Sequence, residues 1–574
     1  MIYYEIASAN PLSSYLQIKI TFSVAEPDSE VQLQLPAWRP GRYELQNFAQ
    51  KIQQFRVLDS ANNAMAYTKI TKDCWQIPVP APGDLTVIYN FYARQLDAGG
   101  SWTDETQLYV NPINCLPTIV GREQETCELK LVIPEDWQIA TGLPQKEGKI
   151  LSAENYDQLV DSPLIASATL KLASYEVNGI PFFIWIQGDC QPDWERIVRD
   201  FTAFTQEQIK LFGEFPVNDY HFLNEILPYK HYHGVEHSNS TVITLGPGEL
   251  LMSKSLYKDL VGVSSHELFH TWNIKKIRPA AMMPYDYTQE NYFRTGYVAE
   301  GVTTYYGDYL LARAGVYSAA EYFEELNGVL SKHFSDYGHQ NYSVADSSFD
   351  LWLDGYKPGV PDRKVSIYHK GALAALILDL EIRRNTNNIR SLDTVMQRLW
   401  QEFGKAGIGY TEADYERLVS EVGQDSFSKY FKDIIYGTAP LQPYLDKALH
   451  YVGCALVMEP SLVITESIFG FKTNLNDNVL KVNAIAPDSP AYFNLSLDDE
   501  LLAVNGRKIE GNINALISAQ SEELTLTLFR HKQLQQVTLR PDKKQYYQKY
   551  SVRKVTDALL PNKANFFLWL HQAF

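Results

Sequence analysis

Residues 266–270 read His-Glu-Leu-Phe-His. They lie within an apolar stretch that includes Leu260, Val261, Val263, Leu268, Phe269 and Trp272, which predicts a buried helix over 255–276. Positions i and i+4 of a helix share one face, one turn apart. His266 and His270 can therefore reach a single metal ion, while Glu267 is offset from that face and can hold a water beside it. Buried His and Glu at this density need partners, which a metal supplies. Zinc suits two imidazoles and one carboxylate with an open fourth position. Six of the 12 histidines fall between residues 221 and 270, which strengthens a metal reading of the pair. A third ligand is available at Glu300, in Tyr297-Val-Ala-Glu-Gly-Val-Thr-Thr-Tyr-Tyr306, at the start of a second apolar helix. Alone, such an acid could merely complement the helix dipole; with the histidine pair upstream, the ligand role is favoured.

The rest of the chain predicts a multidomain α+β protein, since 574 residues exceed a single ordinary core. Residues 1–188 read as an N-terminal antiparallel β-sandwich. Leu16, Ile18, Ile20, Phe22 and Val24 alternate with polar residues, and turn formers such as Arg39-Pro-Gly-Arg42 separate the runs. Residues 189–450 turn mostly helical, with Ser391 and Thr411 as N-caps and a few strands before residue 250. Strands return over 451–545, and 546–574 form a tail or docking segment. The net charge of −17 and the lack of any Lys/Arg-rich run exclude a nucleic-acid partner. No leader pattern and no uncharged apolar run of about 18 residues is read, so no membrane span is expected. The five cysteines are scattered, without a CxxC pair, and imply reduced thiols and a cytoplasmic location.

His266-Glu-Leu-Phe-His-Thr-Trp-Asn-Ile-Lys-Lys-Ile-Arg-Pro279 and Ala299-Glu-Gly-Val-Thr-Thr-Tyr-Tyr306 resemble peptidase family M61, the glycyl aminopeptidases, gluzincins with a thermolysin-like catalytic domain. The resemblance extends to Leu35-Pro-Ala-Trp-Arg-Pro-Gly41, Ile367-Tyr-His-Lys-Gly371 and Ser391-Leu-Asp-Thr-Val395. It implies one zinc ion held by His266, His270 and Glu300, and a zinc-activated water with Glu267 as general base. Tyr368 matches the tyrosine that stabilises the oxyanion in related aminopeptidases. His233-Gly-Val-Glu-His-Ser238 resembles the family's Gly-Gly-Leu-Glu-His motif. Glu236 is thus the candidate for the substrate ammonium, with Gly234 and His237 beside it. His233 departs from the family glycine, which puts the glycine preference in question. The implied substrates are peptides with a free N-terminus and a small first residue such as Gly or Ala.

The C-terminal module resembles a PDZ domain. Ile468-Phe-Gly-Phe471 is similar to a carboxylate loop, and Asp498-Asp-Glu-Leu-Leu-Ala-Val-Asn-Gly506 to a common PDZ segment. Phe469, Gly470 and Phe471 are the groove residues this resemblance implies, with the C-terminus of a peptide as ligand. Two other readings stand beside the aminopeptidase: a zinc endopeptidase on the same residues, and a catalytically silent PDZ adaptor. The complete set of chemistry-bearing residues argues against the adaptor.

Overall fold

The computed structural model describes residues 1–574 apart from 9, 27, 28, 358, 477, 478 and 519–521. An eight-stranded sheet dominates the first region, its central strands being Cys127–Val132, Ile2–Ala7, Tyr15–Val24 and Gly83–Tyr92. The alternation read in the sequence is realised in Tyr15–Val24, where Leu16, Ile18, Ile20 and Phe22 are buried. They share one core with Ile77 and Val110, which lie on two four-stranded sheets. The expected all-antiparallel pairing needs one correction. Ile2–Ala7 runs parallel to Cys127–Val132, which two strands 120 residues apart can do because the long connection lets the chain return in the same direction.

The middle region starts earlier than residue 188. Strands Lys171–Val177 and Ile180–Gln187 form a hairpin, and the second of them pairs with Tyr220–Ile226. The five-stranded sheet continues through Ser240–Gly246 and ends on His231–Glu236, whose outer edge is free. A hairpin's two strands look alike in sequence whichever sheet they join, so the boundary expected at 188 cuts through this sheet. Helices Trp194–Phe212, Lys254–Phe269, Thr303–Arg313, Ala319–Phe334 and Ile367–Asn385 build the rest of the core. Ser391 and Thr411 both close capping boxes, as their positions before apolar helices suggest.

Strands 471–539 form a six-stranded sheet with its own small core. Cys454–Glu459 pairs with Lys549–Lys554, so the chain enters and leaves this module side by side. The last helix, Leu560–Leu570, is not a loose tail. Phe566, Trp569 and Leu570 are buried in the core of the middle region. Tyr309 Oη donates to the Trp569 carbonyl (2.8 Å) and Arg383 Nη1 to that of Leu568 (3.2 Å). Among the described residues no helix is long and apolar enough to cross a membrane.

Candidate metal centre and substrate cleft

The helix Lys254–Phe269 starts at Ser253, whose side chain accepts from the Leu256 amide, and carries His266 and Glu267 in its last turn. It stops seven residues short of the expected 276. His270 is its C-cap, and Ile274 at φ 104° turns the chain back. The cause is a tertiary contact. Asn273 Nδ2 donates to the Val298 carbonyl (2.8 Å) and to Thr303 Oγ1 (2.9 Å), tying the helix end to the segment bearing Glu300. That segment, Tyr297–Val302, is a π-helical turn rather than the first α-turn expected, and it runs directly into Thr303–Arg313. Wide turns of this kind re-aim a side chain within a helix and recur at functional sites.

These elements bring the three candidate ligands together. His266 Nε2 and His270 Nε2 are 3.0 Å apart, and Glu300 Oε2 lies 3.9 Å from the first and 3.4 Å from the second. His270 Nδ1 donates to the Asn273 carbonyl at 2.8 Å, which fixes the ring with its Nε2 facing the cluster. Two imidazole nitrogens and one carboxylate oxygen, mutually within 4.8 Å, fit the donor set of zinc.

Glu267 and Glu236 complete a second cluster with His270, again within 4.8 Å. Glu236 ends the free edge strand and is buried. Gly234, two residues earlier, lets that strand lie against Glu267: a Cβ there would sit 2.3 Å from Glu267 Oε1. Glu267 Oε2 is buried and has no hydrogen-bond partner among the described residues. Burial pushes the Glu267 carboxyl well above its usual range, and Glu236 and Glu300 add to that while His270 opposes it. For His270, burial disfavours the charged ring, but Glu300, Glu236 and Glu267 outweigh it and push the imidazole up to about 10. His266 moves the other way, lowered by burial and by His270.

Tyr368 stands in the first turn of Ile367–Asn385, a helix capped by the Ser366 side chain. Gly301 and Gly371 make its approach close enough: a Cβ on Gly301 would come within 2.5 Å of the Gly371 Cα. Tyr368, His266, Glu267, Gly234 and His233 line one cavity of about 390 Å³, which continues past Gly262 to Asp308. His233 is held low, to about 4, by burial and then by Arg39.

His237 is placed differently from the expectation. Its Nδ1 meets Asp161 Oδ1 at 3.1 Å, in a cluster where Asp161 also pairs with Lys275 Nζ (2.9 Å) and accepts from Ser238 N and Oγ (3.0 and 2.6 Å). It pins the end of the edge strand to the first region instead of bonding Glu236. Phe469 and Phe471 belong to the core of the C-terminal sheet, and the Gly470 amide donates to the Glu466 carbonyl at 3.2 Å.

Sequence reasoning missed the contribution of residues 37–43. Trp38 and Tyr43 are buried in the core of the middle region although they lie far upstream of it. Trp38 Nε1 donates to the Asp286 carbonyl at 2.6 Å. Tyr43 Oη donates to Glu300 Oε1 at 3.0 Å. Gly41, at φ 79°, lies so near Glu236 that a Cβ would be 2.4 Å from Oε2. The signal was present in the dense Trp-Arg-Pro-Gly turn, but nothing local says which distant side chains such a turn will touch.

Two family models and several solved structures match the chain. Residues 3–168 match the peptidase M61 N-terminal domain and residues 259–374 the M61 glycyl aminopeptidase. A crystal structure of an aminopeptidase N family protein from Idiomarina loihiensis is 26% identical with a TM-score of 0.91, covering 99% of this chain and 100% of its own. An M1 zinc metallopeptidase from Deinococcus radiodurans, solved with a Tyr-Ser-Ala substrate, is 15% identical with a TM-score of 0.47, over 76% of this chain and 94% of its own. No curated protein matches. Over residues 3–168 and 259–374 the chain therefore matches two domains of peptidase family M61.

Proposed function

We propose that this protein is a zinc-dependent aminopeptidase that removes small N-terminal residues such as Gly or Ala from peptides. His266, His270 and Glu300 would hold the ion. Zinc, when bound, supplies a Lewis acid that acidifies water and polarises a carbonyl. Glu267 takes the proton of the attacking water and returns it to the leaving amine. Its raised affinity for protons suits the second half of that task. Tyr368, which lines the same cavity, donates to the oxyanion, and Glu236 holds the substrate ammonium by a charge-assisted hydrogen bond.

The observation that carries this reading is the short reach between the two clusters. Glu236, Glu267 and His270 have ligand atoms within 4.8 Å of one another. An ammonium on Glu236 therefore sits about one residue from the carbonyl that Glu267 serves. A carboxylate buried this close to the centre, with Gly41 packed against it, suits an ammonium partner and favours an exopeptidase over an endopeptidase. Glu267→Gln should keep its metal and lose about 10²–10⁴ in rate, and N-acetylation of the substrate should abolish cleavage. A Glu267→Gln enzyme at wild-type rate, or cleavage of the acetylated peptide, would overturn the reading.

The middle region reads as thermolysin-like and the C-terminal sheet as PDZ-like. With the Gly470 amide already bonded to Glu466, the latter fits a brace on the peptidase better than a peptide receptor. All five cysteines are buried free thiols, which suits a reducing, cytoplasmic setting.

A further inference from the structure

We propose that Tyr43, supplied by the first region, is a positioning residue that makes Glu300 a one-oxygen ligand. This rests on the zinc reading above. Glu300 is buried, and its two oxygens have different surroundings. Oε2 faces both imidazoles, at 3.4 and 3.9 Å, whereas Oε1 accepts from Tyr43 Oη at 3.0 Å. An ionised carboxylate can only accept and a tyrosine hydroxyl beside it must donate, so the direction of this bond is fixed. It keeps Oε1 turned away from the histidines.

The hydroxyl is itself held firmly. Tyr43 is fully buried, and its ring packs on Phe293 at 5.1 Å and on Trp352 at 6.0 Å. The segment before it is anchored twice, by Trp38 Nε1 on the Asp286 carbonyl (2.6 Å) and by the Ala37 amide on the Tyr287 carbonyl (2.7 Å). Tyr43 and Glu300 are 257 residues apart. The metal centre of the middle region is thus finished by a side chain that only the docked first region can deliver. A carboxylate released at Oε1 is free to rotate and offer both oxygens, which changes coordination number and lowers the pre-organisation of the donor set.

The test is Tyr43→Phe in the full chain, an isosteric change that removes one oxygen. Zinc affinity is read by chelator competition, and coordination by the visible spectrum of the cobalt-loaded protein at saturating metal, neither of which depends on turnover. The expected result is a loss of about 10- to 100-fold in zinc affinity, with the cobalt bands weakening as a four-coordinate set gains a fifth ligand. The spectrum reports only folded, loaded protein, so it remains decisive if the variant is less stable. Unchanged bands overturn the proposal whatever the affinity does, and so does affinity within twofold of wild type. A wild-type chain that takes up no zinc sinks the parent reading and this one together. Wild-type loading with an unaltered spectrum in the Tyr43→Phe variant sinks only this one.

Discussion

Gly41→Ala tests whether the first region shapes the amine subsite. Gly41 adopts φ 79°, a left-handed conformation in which an L side chain costs roughly 1–2 kcal/mol. A Cβ there would lie 2.4 Å from Glu236 Oε2, 3.1 Å from Cδ and 3.2 Å from Oε1. Ordinary contact begins near 3.4 Å, so the carboxylate has to retreat by about 1 Å, more than a hydrogen bond tolerates. If Glu236 holds the ammonium, the variant loses a hydrogen bond between charged groups, worth about 1.5–3 kcal/mol. That corresponds to a fall of about 10- to 150-fold in kcat/KM. Most of the fall should appear as a raised KM, because the bond exists in ground and transition states alike. The assay is steady-state hydrolysis of glycyl and alanyl p-nitroanilides, with zinc content and thermal melting measured on the same sample. A folded, zinc-loaded Gly41→Ala enzyme with wild-type kcat/KM would refute the assignment of Glu236 to the ammonium. Lost zinc with unchanged KM would show that the segment serves the metal alone.

Two further predictions concern buried charge. Burial pushes Glu225 up to about 8, against an ordinary 4.5, while Gln107 opposes the shift. The unfolded chain then binds fewer protons than the folded one between those values, so this acid removes up to about 5 kcal/mol of stability as pH rises through that window. Glu225→Gln should flatten the decline between pH 5 and pH 9 in urea unfolding, and an identical slope in the variant would count against it. Asp161 neutralises Lys275 at 2.9 Å; the lysine is buried and the aspartate half-buried. Asp161→Ala strands that buried ammonium and should cost about 3–5 kcal/mol, so a loss under 1 kcal/mol on denaturant unfolding would contradict the burial of Lys275.

The helical periodicity around His266 and His270 made the ligand pair legible, because i and i+4 geometry is local. Glu300 was proposed as an acid opening an apolar helix, in the light of the histidine pair upstream, and Glu236 and Tyr368 from family resemblance. What stayed hidden depends on contacts across the fold. The helix ends at Phe269 because the Asn273 side chain is claimed by Val298 and Thr303, and no propensity encodes that. The hairpin 171–187 carries the same alternation as the strands of the first region, so its place in the middle sheet could not be read. Tyr43 looked like one tyrosine among 37 until the fold set it against Glu300.

The charge balance of the centre connects these observations to its chemistry. Glu236, Glu267 and Glu300 are all buried within reach of one imidazole, His270. Three carboxylates in so small a volume repel one another, and burial penalises each charge further. His270 answers by rising to about 10, and Arg39 contributes its field to Glu236 and Glu267. A dication against His266, His270 and Glu300 would return His270 to its neutral, ligating form, and an ammonium against Glu236 would neutralise the last acid. On that reading the two cations are of different kinds and at different ends. On the proposed function the metal takes the helix face and the peptide N-terminus the edge strand, with Glu267 between them as the group that moves a proton.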